Sequence, residues 1–308
     1  MISCKECGAE FNSLSGLHKH LKAHKIYVPD YYVKHFPRRD KFSGDLIEFK
    51  EREDYFAKHF NSRQNLVSWL KQTPKEHKAS VLLDMLEHRV KSKQLAHAPT
   101  EIELFFAELP PIQEYKDCFG SYSTATKSCG VDPLLTGKWS DKWSKDFSGR
   151  KIYVDSREQK PLAFKNSEAL KLDIGDYAVS GNDFRYTFVD RKSFADWAST
   201  LVNENFDRFR REIERCAAQK SFLWVVVEAE LESLERLNQS SAHKHNLSFV
   251  GHQMRILQHE YRGNLQFYFS GGRKQSQDVI PKLLCLGDEL WLSDAQYWIP
   301  KQKGELDF

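Results

Sequence analysis

Carboxylate and lysine side chains with a spacing suited to metal-assisted chemistry lie in the second half of the 308-residue chain. Asp176 is followed after thirteen residues by Asp190, and Lys192 comes two positions later. Because side chains on a strand alternate between its two faces, Asp190 and Lys192 project to one side and Arg191 to the other. Carboxylate oxygens bind Mg²⁺, and a lysine can stabilise negative charge that develops on a phosphate. The spacing therefore predicts a centre for metal-assisted phosphodiester hydrolysis.

The stretch from about Lys151 to Leu286 resembles the nuclease domain of the XPF/Mus/Hef family of structure-selective endonucleases, which belongs to the PD-(D/E)xK superfamily. The likeness rests on V-D-S-R-E at 154–158, G-D at 175–176, D-R-K at 190–192 and N-F-D-R-F at 205–209. It implies an endonuclease that uses Mg²⁺ or Mn²⁺ on branched DNA or on single-strand/double-strand junctions. The expected settings are repair, recombination or replication, and the resemblance also implies a homodimer formed through the nuclease domain.

The resemblance assigns roles to individual residues. The acidic residues of the metal centre would be Asp155, Glu158, Asp176 and Asp190, with magnesium on Asp155, Asp176 and Asp190. Lys192 would be the catalytic lysine, and Arg191 and Asp196 would support the motif. The family usually has glutamate where this chain has Asp190, and a shorter side chain with the same carboxylate predicts that activity survives.

Simpler interpretations exist for the same residues. Ser193 followed by Asp196 is also the pattern of a helix N-cap with an acidic third residue. Arg191 could be an ordinary ion-pair partner, and Asp155 could cap a turn at a strand end. For Asp176, Asp190 and Lys192 taken together, the alternative is a surface cluster of charges.

A second set of metal ligands lies near the N-terminus. Its order is C-x2-C-x12-H-x3-H, and its members are Cys4, Cys7, His20 and His24. Two cysteines on a knuckle and two histidines on one helix face can complete a zinc tetrahedron, so we predict a structural zinc finger. The positions that would face bases are Ser13, Gly16 and Lys19. Because the first two offer little side chain, we expect weak sequence readout.

Basic and aromatic residues follow the finger. Seven Lys/Arg and two Asp lie between Lys19 and Lys41, a local charge of 7 − 2 = +5, although such a run can also be a solvated face. The segment HKIYVPDYYVKHFP resembles bacterial single-finger regulators of the Ros type. Expected DNA contacts are Lys19, Lys22, Arg38 and Arg39, with Arg208, Arg210 and Arg211 in the nuclease region.

The pattern of apolar residues predicts the elements that must position these groups. We predict a zinc finger at 1–26, a mainly helical DNA-binding or docking region at 27–107, a linker at 108–149, a nuclease domain at 150–287 and a tail at 288–308. Expected strands lie at 151–155, 170–179, 184–190, 222–228 and 265–269, with a hairpin turn at Asn182-Asp183. The predicted fold is therefore an α/β restriction-endonuclease-like domain with a mixed sheet flanked by helices.

Composition narrows the class of protein. With 40% hydrophobic and 29% charged residues the chain is globular, and it contains neither an 18-residue apolar run nor an N-terminal apolar segment. We therefore expect no membrane association. Four of the six cysteines are scattered, which favours a reducing compartment: the cytoplasm of a bacterium or phage-infected cell, or the nucleus of a eukaryote. Two alternative functions are a sequence-preferring restriction or homing-type nuclease and a non-catalytic zinc-finger regulator.

Overall fold

The computed structural model describes residues 2–38, 46, 48–49, 63–180 and 186–304. The chain divides into two compact units, residues 1–85 and 86–308. The predicted hairpin turn at Asn182-Asp183 and the predicted DNA contact Arg39 lie outside the described residues. Within the described part, no helix has the length and apolar composition needed to cross a membrane.

The first unit is built on a small antiparallel ribbon and helices. Its elements are β1 (Ile2–Ser3), β2 (Glu10–Phe11), α1 (Leu14–His20), α2 (Val28–His35), α3 (Arg63–Gln72) and α4 (Lys75–Lys93), in which the boundary between the units falls. Tyr31 and Tyr32 of α2 are buried in the same core as Leu17 and Leu21. The core that contains Leu17 and Leu21 thus continues past residue 26, the predicted boundary of the finger, because a unit this short needs additional apolar surface.

One mixed sheet organises the described part of the second unit. Its strands are β3 (Ile152–Asp155), β4 (Ser167–Leu170), β5 (Tyr177–Val179), β6 (Thr187–Lys192), β7 (Phe222–Val227) and β8 (Leu265–Phe269), in the order β4-β3-β5-β6-β7-β8. Strand β5 runs antiparallel to both β3 and β6, and the other neighbours are parallel. As a result the carboxyl ends of β3, β6 and β7 meet the start of β5 at one edge of the sheet.

Helices cover both faces of this sheet. They are α5 (Glu101–Phe106), α6 (Ile112–Phe119), α7 (Tyr122–Ser128), α8 (Phe194–Thr200), α9 (Asn203–Ala218), α10 (Leu234–Ser240), α11 (Leu247–Glu260), α12 (Arg273–Leu286) and α13 (Ala295–Gly304). Strand β7 shows the consequence, since Val225 packs in one core with Trp197, while its neighbour Trp224 packs in the other core with Ile280. A central strand that is buried on both faces must be apolar throughout, which explains its sequence FLWVVV.

The run 170–179, predicted as one strand, is two strands with a turn between them. Strand β4 ends at Leu170 and β5 begins at Tyr177. Gly175 has φ = +62°, a left-handed conformation that breaks the extended chain and that favours glycine. Asp176 is consequently the last residue of a turn rather than part of a strand.

The segment 108–149, predicted as a linker, is instead packed structure. It contains α6, α7 and a 3-10 turn at Asp141–Ser144, whose Trp143 is buried against Ile152 and Ile280. The predicted tail is also ordered up to Gly304, and it bonds to this segment: the amide of Gly137 donates to the carbonyl of Leu292 at 2.7 Å. Helices of seven or eight residues are too short to show a clear apolar period, so the sequence pattern did not reveal them.

Gly137 offers a test of this packing. A Cβ at Gly137 would lie 2.7 Å from the backbone carbon of Leu292, whereas a Cβ at Gly149 would meet no atom within 4 Å. We expect Gly137→Ala to lower the stability of the second unit by about 1–3 kcal/mol, because neither backbone can give way easily. Gly149→Ala is the matched control and should leave stability unchanged or slightly raised.

The measurement is thermal unfolding followed by tryptophan fluorescence. This signal reports mainly on the second unit, which contains all tryptophans except Trp69. If 108–149 were a loosely attached linker, the two variants would unfold at the same temperature.

Candidate functional site

The edge of the sheet where β3, β5, β6 and β7 meet carries a cleft of about 1320 Å³. All seven residues predicted for the catalytic centre line it: Asp155, Glu158, Asp176, Asp190, Arg191, Lys192 and Asp196. Residues spread over more than forty positions are brought together because parallel strands end at the same edge.

Asp176 is held by hydrogen bonds from two strands. Its backbone N–H donates to the carbonyl of Val189 at 2.7 Å, and its carbonyl accepts from the N–H of Asp155 at 2.8 Å. Its carboxylate Oδ2 accepts from the backbone N–H of Arg191 at 2.8 Å. Both the backbone and the carboxylate are therefore fixed by the sheet.

Asp190 and Lys192 project from the end of β6 into the same cleft. Lys192 Nζ lies 2.8 Å from Asp190 Oδ2, as expected for side chains two positions apart on a strand. Burial alone would lower the pKa of Lys192, but the charges of Asp190 and Asp176 together raise it. The lysine is thus held as an ammonium ion beside the carboxylates.

Two carboxylates in one partly buried cleft repel each other. Burial, followed by the charge of Asp190, raises the pKa of Asp176 to about 8. Burial and this repulsion therefore disfavour the charged form of Asp176, which a bound cation would stabilise. This energetic cost is what a divalent cation would offset.

Asp155 has a different environment from Asp176 and Asp190. It is buried, and Arg157 donates to it from the backbone N–H and from the guanidinium, with Nε 2.9 Å from Oδ1. These bonds lower the pKa of Asp155. Arg157 thus competes with the predicted magnesium for this carboxylate.

Arg191 forms buried contacts that fix the loop after β3. Its guanidinium lies 3.3 Å from Glu158 and 2.9 Å from Glu228, and it donates to the carbonyl of Lys160 at 2.9 Å. Glu228, which follows β7, is a member of this network that sequence reasoning missed. In this structure Arg191 and Glu158 engage each other, so their side chains support the wall of the cleft.

Asp196 takes part in the helix cap that the sequence also predicts, in which Ser193 is the N-cap residue of α8. The backbone N–H of Asp196 donates to Ser193 Oγ at 3.2 Å, and Ser193 Oγ donates to the Asp196 carboxylate at 2.6 Å. Asp196 also lines the cleft, but its contacts are those of an acidic residue in the first turn of a capped helix.

Helix α9 forms one side of the cleft, and its residues at helical spacing face inward. Arg208, Arg211 and Arg215 line the cleft and are exposed, and none of them forms an ion pair with another described residue. Arg210, which was predicted with them, lies on a different face and pairs with Glu260. The cause is the helical period of 3.6 residues, which separates neighbouring positions by about 100°. The same period could have identified Arg215, four residues after Arg211.

Glu212 is a further cleft residue that sequence reasoning missed. It follows Arg211 on α9, and its Oε1 accepts from the backbone N–H of Gly175 at 3.1 Å. Burial, and then the charge of Asp190, raises the pKa of Glu212. Its position four residues after Arg208 was the available signal.

The acidic residues fit a divalent cation that is only partly coordinated by protein. Among the described residues, no three carboxylates place their oxygen atoms close enough together to bind one metal ion. Mg²⁺ usually takes one or two carboxylates and completes its shell with water and substrate phosphate. Asp176 and Asp190 line the same cleft and their charges interact. They can therefore supply the two carboxylates.

The second cluster of ligands is in the first unit. The ligand atoms of Cys4, Cys7, His20 and His24 lie within 4.8 Å of one another, with Cys7 Sγ 3.2 Å from His20 Nε2 and the two Nε2 atoms 3.0 Å apart. This grouping could hold a metal, and the two-sulfur, two-nitrogen set is suited to zinc.

Around this cluster the predicted basic residues are exposed, but some of the aromatic residues expected beside them are buried. Lys19 and Lys22 are exposed, as a DNA contact requires. Tyr31 and Tyr32 are buried, whereas Tyr27 is 78% exposed. Ser13 caps α1 by accepting from the N–H of Gly16 at 3.2 Å, so its hydroxyl is already occupied.

We expect the purified protein to contain about one zinc ion per chain, because four protein ligands that leave no open coordination position form a structural zinc site. Cys7→Ser should lose most of the zinc and lower the unfolding temperature of the first unit. Cys129→Ser, which lies outside the cluster, is the control and should retain zinc. Metal content is measured by inductively coupled plasma mass spectrometry. Equal zinc content in both variants would contradict the assignment.

Comparison with known proteins gives little further information. No family model matches the chain, and no curated protein matches it. Among solved structures, XPF from Aeropyrum pernix is 23% identical over 48% of this chain and 69% of its own, with a TM-score of 0.34. XPF from Aeropyrum pernix in complex with DNA is 22% identical over 44% of this chain and 64% of its own, with a TM-score of 0.32.

Proposed function

We propose that this chain is a metal-dependent DNA endonuclease that hydrolyses phosphodiester bonds in the cleft of its second unit. The observation that carries the proposal is the meeting of Asp176, Asp190 and Lys192 at one sheet edge, beside a helix with exposed arginines. A surface cluster of charges would be solvated, whereas these groups are partly withdrawn from water, and the pKa of Asp176 is raised. Such a shift in a cleft is typical of a functional site.

Each group has a defined task in the proposed reaction. Asp176 and Asp190 would hold Mg²⁺ or Mn²⁺. The cation, when bound, would neutralise charge on the scissile phosphate and lower the pKa of an attacking water. Lys192, held as an ammonium ion beside Asp190, would donate to the phosphate oxygens as negative charge develops. Arg191 and Glu158 would keep the cleft wall in place, and Asp196 would stabilise the first turn of α8 through its two hydrogen bonds with Ser193.

DNA would be bound through its phosphates along α9. Arg208, Arg211 and Arg215 span seven positions, or about 10 Å along the helix axis. Lys19 and Lys22 would add backbone contacts from the zinc finger. Contacts of this kind would be with phosphate and would carry no base sequence, so this proposed set suits recognition of DNA shape better than a restriction-type specificity.

The finer assignment follows from the sequence motifs. We propose branched DNA or single-strand/double-strand junctions as substrates in repair, recombination or replication, and a homodimer through the nuclease unit. The alternatives are a site-specific nuclease and a DNA-binding regulator without catalysis. Magnesium-dependent cleavage of a labelled panel of forks, flaps, duplexes and plasmids separates them.

We expect wild-type protein to cut at least one branched substrate, and Asp190→Asn to lower the rate by on the order of 100-fold or more, because the cation loses a charged ligand. Asp278→Asn makes the same chemical change at an exposed position of α12 and should cleave at the wild-type rate. The readout is the single-turnover rate with excess enzyme, in Mg²⁺ and in EDTA.

Three results would contradict parts of this account. Cleavage by Asp190→Asn at the wild-type rate would refute the metal centre. Binding of all substrates without cleavage of any would favour the regulator, and discrete plasmid fragments would favour the site-specific nuclease.

The proposed DNA path predicts a difference between two neighbouring arginines. Arg211→Ala should weaken DNA binding several-fold and reduce the slope of log affinity against log salt by about 1, because one phosphate contact is lost. Arg210→Ala removes the same charge from a residue that pairs with Glu260 outside the cleft, and it should leave both quantities unchanged. Fluorescence anisotropy in EDTA at several salt concentrations measures them. Equal losses of DNA affinity in the two variants would indicate a general effect of net charge and would contradict the proposed path of DNA along α9.

A further inference from the structure

Helix α9 contributes an acidic residue to the cleft as well as its arginines. Glu212 lies on the same stripe as Arg208, Arg211 and Arg215, at i+4 from the first and i−3 from the last. A carboxylate on this stripe opposes the binding of DNA phosphates. Its presence among three arginines therefore calls for a role other than contact with DNA.

The contact that Glu212 makes is with the turn that presents Asp176. Its Oε1 accepts from the backbone N–H of Gly175 at 3.1 Å. On the other side of this turn, a Cβ at Gly175 would lie 2.8 Å from the carbonyl oxygen of Val189. The next N–H, that of Asp176, donates to this same carbonyl at 2.7 Å. The turn is thus held between β6 and Glu212.

A direct role for Glu212 as a third metal ligand is not what the geometry favours. Among the described residues, Asp176, Asp190 and Glu212 do not form a group whose oxygens converge on one ion. One oxygen of Glu212 is already bonded to Gly175. Hydrogen bonds that orient a ligand can matter nearly as much to metal affinity as the ligand itself.

We propose that Glu212, on the helix proposed to bind DNA, is a positioning residue that fixes Asp176 for cation binding. This inference rests on the proposed function for the cleft. A positioning role differs from metal ligation in that an uncharged hydrogen-bond acceptor at position 212 should be enough to hold Asp176. The contact that positions the turn is a hydrogen bond from the Gly175 amide.

The test uses two substitutions of Glu212 and one control. Glu212→Gln keeps an oxygen acceptor, and Glu212→Ala removes it. Glu214→Ala is the matched control, because Glu214 is exposed on another face of α9, where it accepts from Tyr261. Mn²⁺ affinity is measured by electron paramagnetic resonance on the full chain without DNA, and kcat and KM are measured on the best cleaved substrate.

We expect Glu212→Ala to weaken Mn²⁺ binding and to lower kcat by about 10- to 100-fold, with no weakening of DNA binding in EDTA. Glu212→Gln should keep Mn²⁺ affinity and kcat close to the wild-type values, and Glu214→Ala should leave both at the wild-type values. Circular dichroism establishes that the variants are folded. Should Glu212→Ala fail to fold, the comparison of Glu212→Gln with the wild type remains decisive, since a loss of Mn²⁺ affinity there overturns the proposal.

Other outcomes are equally distinct. If Glu212→Gln lost as much Mn²⁺ affinity and kcat as Glu212→Ala, the negative charge of Glu212 would be required, as it is for a metal ligand. That result would overturn a positioning role. Unchanged Mn²⁺ affinity and kcat in Glu212→Ala would overturn it as well, while leaving the nuclease function intact. A wild-type protein that neither binds Mn²⁺ in the cleft nor cleaves DNA would refute the proposed function, and this inference with it.

Discussion

The repulsion between Asp176 and Asp190 is the interaction on which the rest of the cleft depends. Asp176 directly precedes β5 and Asp190 lies near the end of the antiparallel neighbour β6. Both are partly removed from water, so their charged forms together require compensation. Lys192 supplies one positive charge at 2.8 Å from Asp190, and the amide of Arg191 donates to Asp176. Despite these contacts, burial and, after it, the charge of Asp190 raise the pKa of Asp176. A divalent cation would complete the compensation, and a phosphodiester bound to that cation would be placed beside Lys192.

Such an arrangement requires a rigid support, which the sheet provides. Strands β6 and β7 are covered on both faces, so the residues at their ends are positioned by a packed core. The loops on either side are held by buried ion pairs, Arg191 with Glu158 and Glu228. Helix α9 then adds exposed arginines along the open side. The packed strands would hold the reacting groups of the proposed nuclease, and the exposed face of α9 would supply its proposed contacts to DNA.

The meeting of the predicted residues in one cleft could be inferred from the sequence, whereas much of what surrounds them could not. The i, i+2 spacing of Asp190 and Lys192 is a local property of a strand, and the ligand spacing of Cys4, Cys7, His20 and His24 is local to a ribbon and a helix, so both could be predicted. The pairing of Asp155 with Arg157 and the contact of Glu212 with Gly175 depend on how loops and helices pack, and no spacing encodes them. The same holds for segment 108–149, whose helices are too short to show a period and whose order comes from tertiary contacts.

Binding of a catalytic divalent cation by Asp176 and Asp190 together can be observed by anomalous diffraction from crystals grown with Mn²⁺, collected on the wild type and on Asp190→Asn. We expect an anomalous peak bonded to both carboxylates in the wild type and its loss in the variant. A peak that persists in the variant, or no peak in this cleft in wild-type crystals, would mean that these two carboxylates do not form the metal site.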